Sequence, residues 1–256
     1  MAVITLTSDM GTSDYYVALV KAILTSELGN LTIVDISHDI EKFNIAKASF
    51  VLSSVFREFP EGTIHIVSVN DHDMIKEPDA YIVVEMEGHF FIGPNNGMFS
   101  LLGDEVDQAV SLEYKHKTTF PMKELSVPAA ISLVRGLSLN EIGKPIENIR
   151  RMLHRSVKRT EDMLIGAIID VDSYGNLITN ITKKLFQHSR KNRSIEIQFG
   201  RERIGEISEN YGGPKDGGEC VVLFNDLGYL EIAIVKGRAC DLLGLRYDSP
   251  VAISFS

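Results

Sequence analysis

Asp9 and Asp14 belong to a turn cluster with Ser8, Gly11, Thr12 and Ser13. A carboxylate in such a turn can accept hydrogen bonds from sugar hydroxyls or pair with an amine. The preceding run, Val3 to Thr7, is apolar and β-branched, which predicts a buried strand. Beyond the turn, Val17, Leu19, Val20, Ile23 and Leu24 fall at helical spacing, and Thr12, Ser13 or Asp14 can N-cap that helix. In α/β folds the ligand crevice lies outside the carboxyl ends of the strands, where both aspartates would sit. A capped helix behind an ordinary turn aspartate accounts for the same residues.

Other combinations offer less. Asp71-His72-Asp73 has metal-ligating side chains, but three adjacent residues cannot close a coordination sphere, and a solvated polar loop explains them. Cys220 and Cys240 are the only cysteines; they make neither a zinc spacing nor a disulfide framework. The chain has no Gly-x-Gly-x-x-Gly, no phosphate loop and no Gly-x-Ser-x-Gly elbow, so a dinucleotide enzyme or an α/β hydrolase is unsupported. A net charge of −9, from 26 basic and 35 acidic residues, argues against a broad nucleic-acid surface. No apolar run approaches a membrane span, and the N-terminus has no basic-then-apolar leader pattern. The expectation is a cytoplasmic protein with no nucleic-acid or membrane partner.

The elements that would position these residues follow from periodicity. Strand signals at Leu31 to Ile36 and Thr63 to Val69 alternate with a helical stretch at Ala46 to Phe56. Tyr81 to Met86 and His89 to Ile92 read as a hairpin across Gly88. Val127 to Leu137 reads as a helix with Pro128 in its first turn. Interleaved strands and helices imply a mainly parallel sheet flanked by helices. From Arg150 to Arg159 the chain is basic and polar, a linker or a solvated helix face. Beyond it, strand signals follow without convincing helices: Leu164 to Val171, Leu177 to Ile181, Ser194 to Phe199, Cys220 to Phe224, Tyr229 to Val235 and Val251 to Phe255. The expected organisation is an α/β domain over 1–155 and a smaller antiparallel β domain over 163–256.

Short motifs carry a more specific message. Ile4-Thr-Leu-Thr-Ser-Asp-Met-Gly-Thr-Ser-Asp14 resembles the opening of the S-adenosyl-L-methionine (SAM) hydroxide adenosyltransferases, relatives of fluorinase and chlorinase. Pro60-Glu-Gly-Thr-Ile-His65, Gly93-Pro-Asn-Asn-Gly97 and Asp172-Ser-Tyr-Gly-Asn-Leu-Ile-Thr-Asn-Ile181 are similar to that family's other signatures. So are Asn225-Asp-Leu-Gly-Tyr-Leu-Glu-Ile-Ala233 and Gly237-Arg-Ala239 with Leu242-Leu-Gly-Leu245. The motifs keep their order over nearly the whole chain.

The resemblance implies a trimer that binds SAM between domains of neighbouring subunits, as substrate, with no metal and no organic cofactor. It implies that Asp9 grips the ribose diol, that Asp14 lies near the methionine amino group and that Phe43 covers the ligand. By the same resemblance Tyr174 lies against adenine, Asn176 hydrogen-bonds the ligand, and Asp226, Glu231 and Ile234 border the adenine and methionine end. Read without it, Phe43 is a core aromatic, Gly175-Asn176 a hairpin turn and Glu231 an outward-facing strand residue.

The sequence also departs from the family pattern. The hydrolases carry Asp-Pro-Gly-Val-Gly and then an arginine after the third strand; here stands Val69-Asn70-Asp71-His72-Asp73, with no arginine. Asn70 takes the family aspartate's position, with Asp71 next to it. Pro121-Met-Lys-Glu124 stands where the hydrolases have His-Gly-Arg-Asp. Asn70 and Asp71 are thus the expected catalytic pair, with His72 and Lys123 as partial substitutes for the missing groups. Asp226 replaces a family serine near the substrate carboxylate, and two carboxylates in contact repel. That favours adenosine or a ligand whose tail lacks the carboxylate. The resemblance thus implies hydrolysis of SAM to adenosine and methionine by water at ribose C5′. The alternative is a catalytically silent nucleoside-binding protein of the same fold.

Overall fold

The computed structural model describes residues 2–71, 79–103, 105–113, 118–153, 155–212 and 217–256. The chain divides into two compact units, Met1–Leu153 and His154–Ser256.

The N-terminal unit is built on seven strands. They are β1 (Ala2–Ser8), β2 (Leu31–Ser37), β3 (Ile64–Ser68), β4 (Tyr81–Met86), β5 (His89–Pro94), β6 (Gln108–Ser111) and the two-residue β7 (Lys144–Pro145), in the order β2-β1-β3-β5-β4-β6-β7. β2, β1, β3 and β5 run parallel, and β4, β6 and β7 join antiparallel. The β4–β5 hairpin turns through Glu87 and Gly88, both at positive φ, the backbone that a two-residue primed turn requires.

Among the described residues four helices cover this sheet: α1 (Tyr15–Leu28), α2 (Ile45–Ser53), α3 (Val127–Val134) and α4 (Leu139–Ile142). On one face Ile4, Leu6, Ile64 and Ile66 pack in one buried cluster with Val17, Val20 and Leu24 of α1 and Val127, Ala130 and Ile131 of α3. On the other, Val67, Val84 and Phe91 cluster with Ala48 and Leu52 of α2 and with Phe56. Both faces of the central strands are therefore apolar, as a covered parallel sheet demands.

Two helices differ from the periodicity reading. α2 ends at Ser53, and a separate 3₁₀ turn follows at Phe56–Glu58. Ser53 and Ser54 both donate their hydroxyls to the Phe50 carbonyl, at 3.0 and 2.7 Å. Such back-bonding competes with the helical ladder. Pro128 stands in the first turn of α3, as expected, but a π-helical turn, Met122–Ser126, runs directly into that helix, which ends at Val134. Pro128 has no N–H for the carbonyl one turn back, and its ring crowds that carbonyl, so the preceding turn widens.

The C-terminal unit is antiparallel throughout its described strands. β8 (Lys158–Arg159), β9 (Met163–Val171), β10 (Leu177–Thr182), β11 (Ile195–Phe199), β12 (Glu202–Ile204), β13 (Cys220–Phe224), β14 (Tyr229–Ile234) and β15 (Pro250–Phe255) lie in the order β12-β11-β15-β9-β10-β14-β13, with β8 beside β9. β9 is long enough to be shared: Met163–Ala167 pairs with β15 and Ile168–Val171 with β10. The described residues of the basic stretch before it form no helix, and its Lys158–Arg159 pairs with Ile165 and Leu164.

One helix is present that the sequence reading missed, α5 (Lys183–Arg190); a second, α6 (Ala239–Leu243), ends within Leu242-Leu243-Gly244-Leu245, which reads from sequence as a short turn or helical piece. Thr182 caps α5 by accepting from the Leu185 N–H at 3.2 Å. A Thr followed by two lysines and Leu-Phe was the local signal, masked by how few apolar residues the helix has.

Candidate functional site

The acidic turn after β1 is held from three directions. The Asp9 N–H donates to the Ser68 carbonyl of β3 at 3.3 Å, and the Gly11 N–H to the His38 carbonyl at 2.8 Å. The Asp9 carboxylate is fixed through one oxygen. Oδ2 accepts from the Phe43 N–H at 2.9 Å and from the Asn70 N–H at 3.3 Å. Phe43 and Asn70 are both non-glycine residues in the left-handed region, at φ 66° and 51°. Such backbone is costly for a side-chain-bearing residue and persists where the surroundings enforce it, often at a working site. Among the described residues nothing donates to Oδ1 of Asp9, which leaves an acceptor for a ligand.

The Asn70 turn has its own support. Asn96 of the Gly93-Pro-Asn-Asn-Gly97 motif donates from Nδ2 to the carbonyls of Val69 and Asn70, at 2.9 and 3.3 Å. A Cβ on Gly93 would stand 2.6 Å from the Val67 carbonyl oxygen, so the motif's first position admits only glycine. Asp71 is buried, and its Oδ2 accepts from the Ser68 hydroxyl at 2.5 Å.

Asp9, Asp14, Phe43, Asn70 and Asp71 line one cavity of about 280 Å³, together with Met10, Tyr16, Lys42, Thr119, Phe120 and Pro121. Asp14 occupies the N-cap position of α1 with extended backbone, but its side chain makes no capping bond. Of the three proposed caps, then, Asp14 holds the position while its carboxylate stays with the cavity. Phe43 is 62% exposed, so it is not a core aromatic. Lys123 lies in the π-helical turn and does not line this cavity. His72 and Asp73 fall outside the described residues, and among the described residues no cluster of His, Cys, Asp or Glu could hold a metal ion.

Sequence reasoning missed Lys42, whose ammonium donates to the Asp9 carbonyl, and Tyr16, whose ring packs edge-on against Phe120 with centroids 5.2 Å apart. The Tyr15-Tyr16 pair directly after the acidic turn was the available signal for Tyr16. Nothing local marks Lys42, which reaches Asp9 only because the loop after β2 folds over the end of β1.

In the C-terminal unit, Tyr174, Asn176 and Ile234 line a cavity of about 820 Å³ with Asp172, Tyr211, Ala233 and Arg238 among others. The Asp172–Asn176 turn closes on itself. The Asn176 N–H donates to Asp172 Oδ1 at 2.8 Å, and the Asn176 Nδ2 to Oδ2 at 3.0 Å. Gly175 sits at φ 85°, and a Cβ there would be 2.8 Å from Cβ of Arg238. Arg238 in turn donates to the Ser173 carbonyl at 2.9 Å and to Asp241 at 2.7 Å. The turn thereby presents the Tyr174 ring, 79% exposed, to solvent.

Two of the expected ligand residues are placed elsewhere. Glu231 is 2% exposed and does not line the cavity; it faces inward rather than outward. It accepts from the Tyr211 hydroxyl at 2.8 Å and from Asn225 Nδ2 at 3.1 Å. Burial pushes its carboxyl above the ordinary range, with Asp172 and Asp226 adding to this against the two hydrogen bonds. Burial and the bond to Glu231 likewise push the Tyr211 hydroxyl upward. Asp226 is exposed in the 225–228 turn and does not line the cavity either; it bears on the site through its charge on Glu231 and Tyr211.

A carboxylate-bearing turn at the carboxyl ends of parallel strands in one unit, and an exposed aromatic turn on an antiparallel sheet in the other, define a two-unit α/β protein. The chain belongs to the SAM hydroxide adenosyltransferase family: the family's N-terminal domain matches residues 4–143 and its C-terminal domain residues 166–252. It is 28% identical to a (R)-S-adenosyl-L-methionine hydrolase of Methanocaldococcus jannaschii, over 99% of this chain and 96% of that one. It is 27% identical to a protein of the same name from Thermus thermophilus, over 96% and 97% of the two chains. Among solved structures, an uncharacterized conserved protein from Thermotoga maritima matches with TM-score 0.87 and 27% identity, covering 98% of this chain and 99% of that one.

Proposed function

We propose that this chain hydrolyses SAM to adenosine and methionine. The observation that carries the proposal is the gathering of Asp9, Asp14, Asn70 and Asp71 in one cavity of a chain that belongs to this family. The sulfonium makes methionine a good leaving group. Water attacks C5′ in line, the C5′–O bond forms as the C5′–S bond breaks, the sulfur takes the electron pair, and one proton is released. Asp9 holds the ribose diol through Oδ1, Phe43 covers the sugar, and Asp14 pairs with the methionine ammonium. Asn70 and Asp71 orient the water. Proximity in a closed site supplies roughly 7 kcal/mol or more of barrier lowering in favourable cases, and a carboxylate accepting the water's proton adds to it. Tyr174, Asn176 and Ile234 receive the adenine.

A cavity of about 280 Å³ lies at the small end of ligand pockets. It suits the sugar and its reacting carbon rather than the whole of SAM. The resemblance to the family, and not the cavity, supports the further proposal that the protein acts as a homotrimer with ligand at the subunit interface. Light scattering that reports a stable monomer with full ligand binding would rule the trimer out.

Incubation with SAM, reading adenosine and methionine by chromatography, tests the reaction. Adenosine bound in calorimetry without turnover would leave a nucleoside-binding protein and no hydrolase. Asp9→Ala should weaken adenosine binding by about ten-fold or more, since a charge-assisted hydrogen bond is worth about 1.5–3 kcal/mol. Unchanged affinity would place the ribose elsewhere.

A further inference from the structure

Behind the Asp9 turn lies a string of side chains that the proposed chemistry does not use. Ser8 Oγ is 2.7 Å from His38 Nδ1, and His38 Nε2 is 3.1 Å from Asp35 Oδ1. Lys21 of α1 pairs with the other Asp35 oxygen. The order Ser-His-Asp matches a hydrolytic triad, but Ser8 is fully buried and does not line the Asp9 cavity, so its oxygen is closed to a substrate there.

The direction of each bond can be worked out. Partial burial would raise the Asp35 carboxyl, but the Lys21 and His38 bonds outweigh it and hold it below the ordinary range. Asp35 is therefore ionised, and its Oδ1, 3.1 Å from His38 Nε2 though outside hydrogen-bond geometry, favours the proton on that nitrogen. With the proton on Nε2, Nδ1 carries the lone pair and the Ser8 hydroxyl donates to it. The Ser8 oxygen is left to accept the Met10 N–H, at 3.4 Å. The His38 main chain holds the same turn from the other side by accepting the Gly11 N–H at 2.8 Å.

We propose that His38 is the positioning residue of the ribose-binding turn: its Nδ1 fixes Ser8 and its carbonyl fixes Gly11, and the two bracket Asp9. The inference rests on the reading of Asp9 as the ribose ligand. It assigns the work to the Ser8 bond and not to the Asp35 carboxylate, which acts on the ring by charge from the exposed side.

The two bonds separate by substitution. His38→Asn keeps an acceptor oxygen at the Nδ1 position and loses the reach to Asp35. His38→Gln keeps an N–H at the Nε2 position and loses the bond to Ser8. Adenosine calorimetry and SAM turnover should show His38→Gln weakening affinity and raising KM by about ten-fold, with kcat within two-fold. His38→Asn should stay near the parent in both. In ligand-free protein, hydrogen exchange at the Met10 and Gly11 amides should quicken in His38→Gln and not in His38→Asn. Equal affinity in the two variants, or Asn as weak as Gln, would overturn the inference. If the parent binds no adenosine, the functional reading falls, and the amide exchange alone still decides whether His38 holds the turn.

Discussion

The main-chain N–H of Phe43 donates to Oδ2 of Asp9 at 2.9 Å, across 34 residues of sequence, from a left-handed backbone at φ 66°. One residue thus aims an amide at the carboxylate and a ring at the cavity.

That double duty makes a test of strain. At positive φ an alanine carries the steric cost of its Cβ, and glycine does not. Phe43→Gly should therefore be more stable than Phe43→Ala by about 1 kcal/mol, the reverse of the usual order. Both should weaken adenosine binding to a similar degree, because both lose the ring. Urea denaturation with calorimetry on the pair checks this; a more stable alanine variant would mean the turn relaxes once the ring is gone.

The buried histidines of the sheet predict acid sensitivity. His65 Nδ1 is 2.7 Å from the Thr5 hydroxyl, and its Nε2 is 3.3 Å from His89 Nδ1. Burial, with His89 adding to it, pushes His65 down from an ordinary value of 6.5 to about 3. Burial lowers His89 as well, and Arg57 acts in the same direction against the opposing charges of Glu61 and Glu87. The unfolded chain then binds more protons than the folded one between pH 6.5 and 3, so stability falls as pH falls through that window. The slope for His65 approaches 1.4 kcal/mol per pH unit. Urea midpoints from pH 7.5 to 4.5 should drop in the parent and drop less in His65→Phe; parallel curves would count against the pair.

Tyr211 and Asn225 are the described partners of the buried Glu231 carboxylate. Tyr211→Phe leaves Oε1 without its donor and should cost about 1–3 kcal/mol. Glu231→Gln should cost less than Tyr211→Phe, because its carbonyl can accept from Asn225 Nδ2 while its NH₂ donates to the Tyr211 oxygen. The Asn225 Oδ1 already accepts from the Tyr229 N–H at 3.0 Å, which fixes Nδ2 as the end that meets residue 231. Thermal denaturation of both variants decides; a glutamine variant less stable than Tyr211→Phe would contradict this pairing.

Gly175→Ala probes the adenine side. A methyl group there meets Arg238 at 2.8 Å, on a backbone at φ 85°. Arg238 must shift, and the Tyr174 turn with it. Adenosine affinity should fall several-fold, about 1 kcal/mol, in a protein that still unfolds cooperatively. Unaltered affinity would remove the Tyr174 turn from the ligand site.

Much of this protein was legible in its sequence because much of it is local. Period-two and period-3.6 patterns located the strands β1 to β5, the helices α1 and α2 and the antiparallel run after residue 163, since burial of one face imposes those periods directly. The ordered motifs identified the family, and with it the roles expected of Asp9, Asn70 and Tyr174. What the sequence could not supply was every relationship set by distant segments meeting. Asp9 is an acceptor with one oxygen spoken for only because the loops at Phe43 and Asn70 converge on it. Glu231 reads as outward in the alternation of β14, yet Tyr211, twenty residues away, covers it. His38 is one histidine among seven in the sequence, and only the parallel pairing of β1 and β2 puts it against Ser8. Local pattern reports which face is buried; which polar group each buried polar group meets is fixed by tertiary packing, because an unmet one would cost more than the fold can bear.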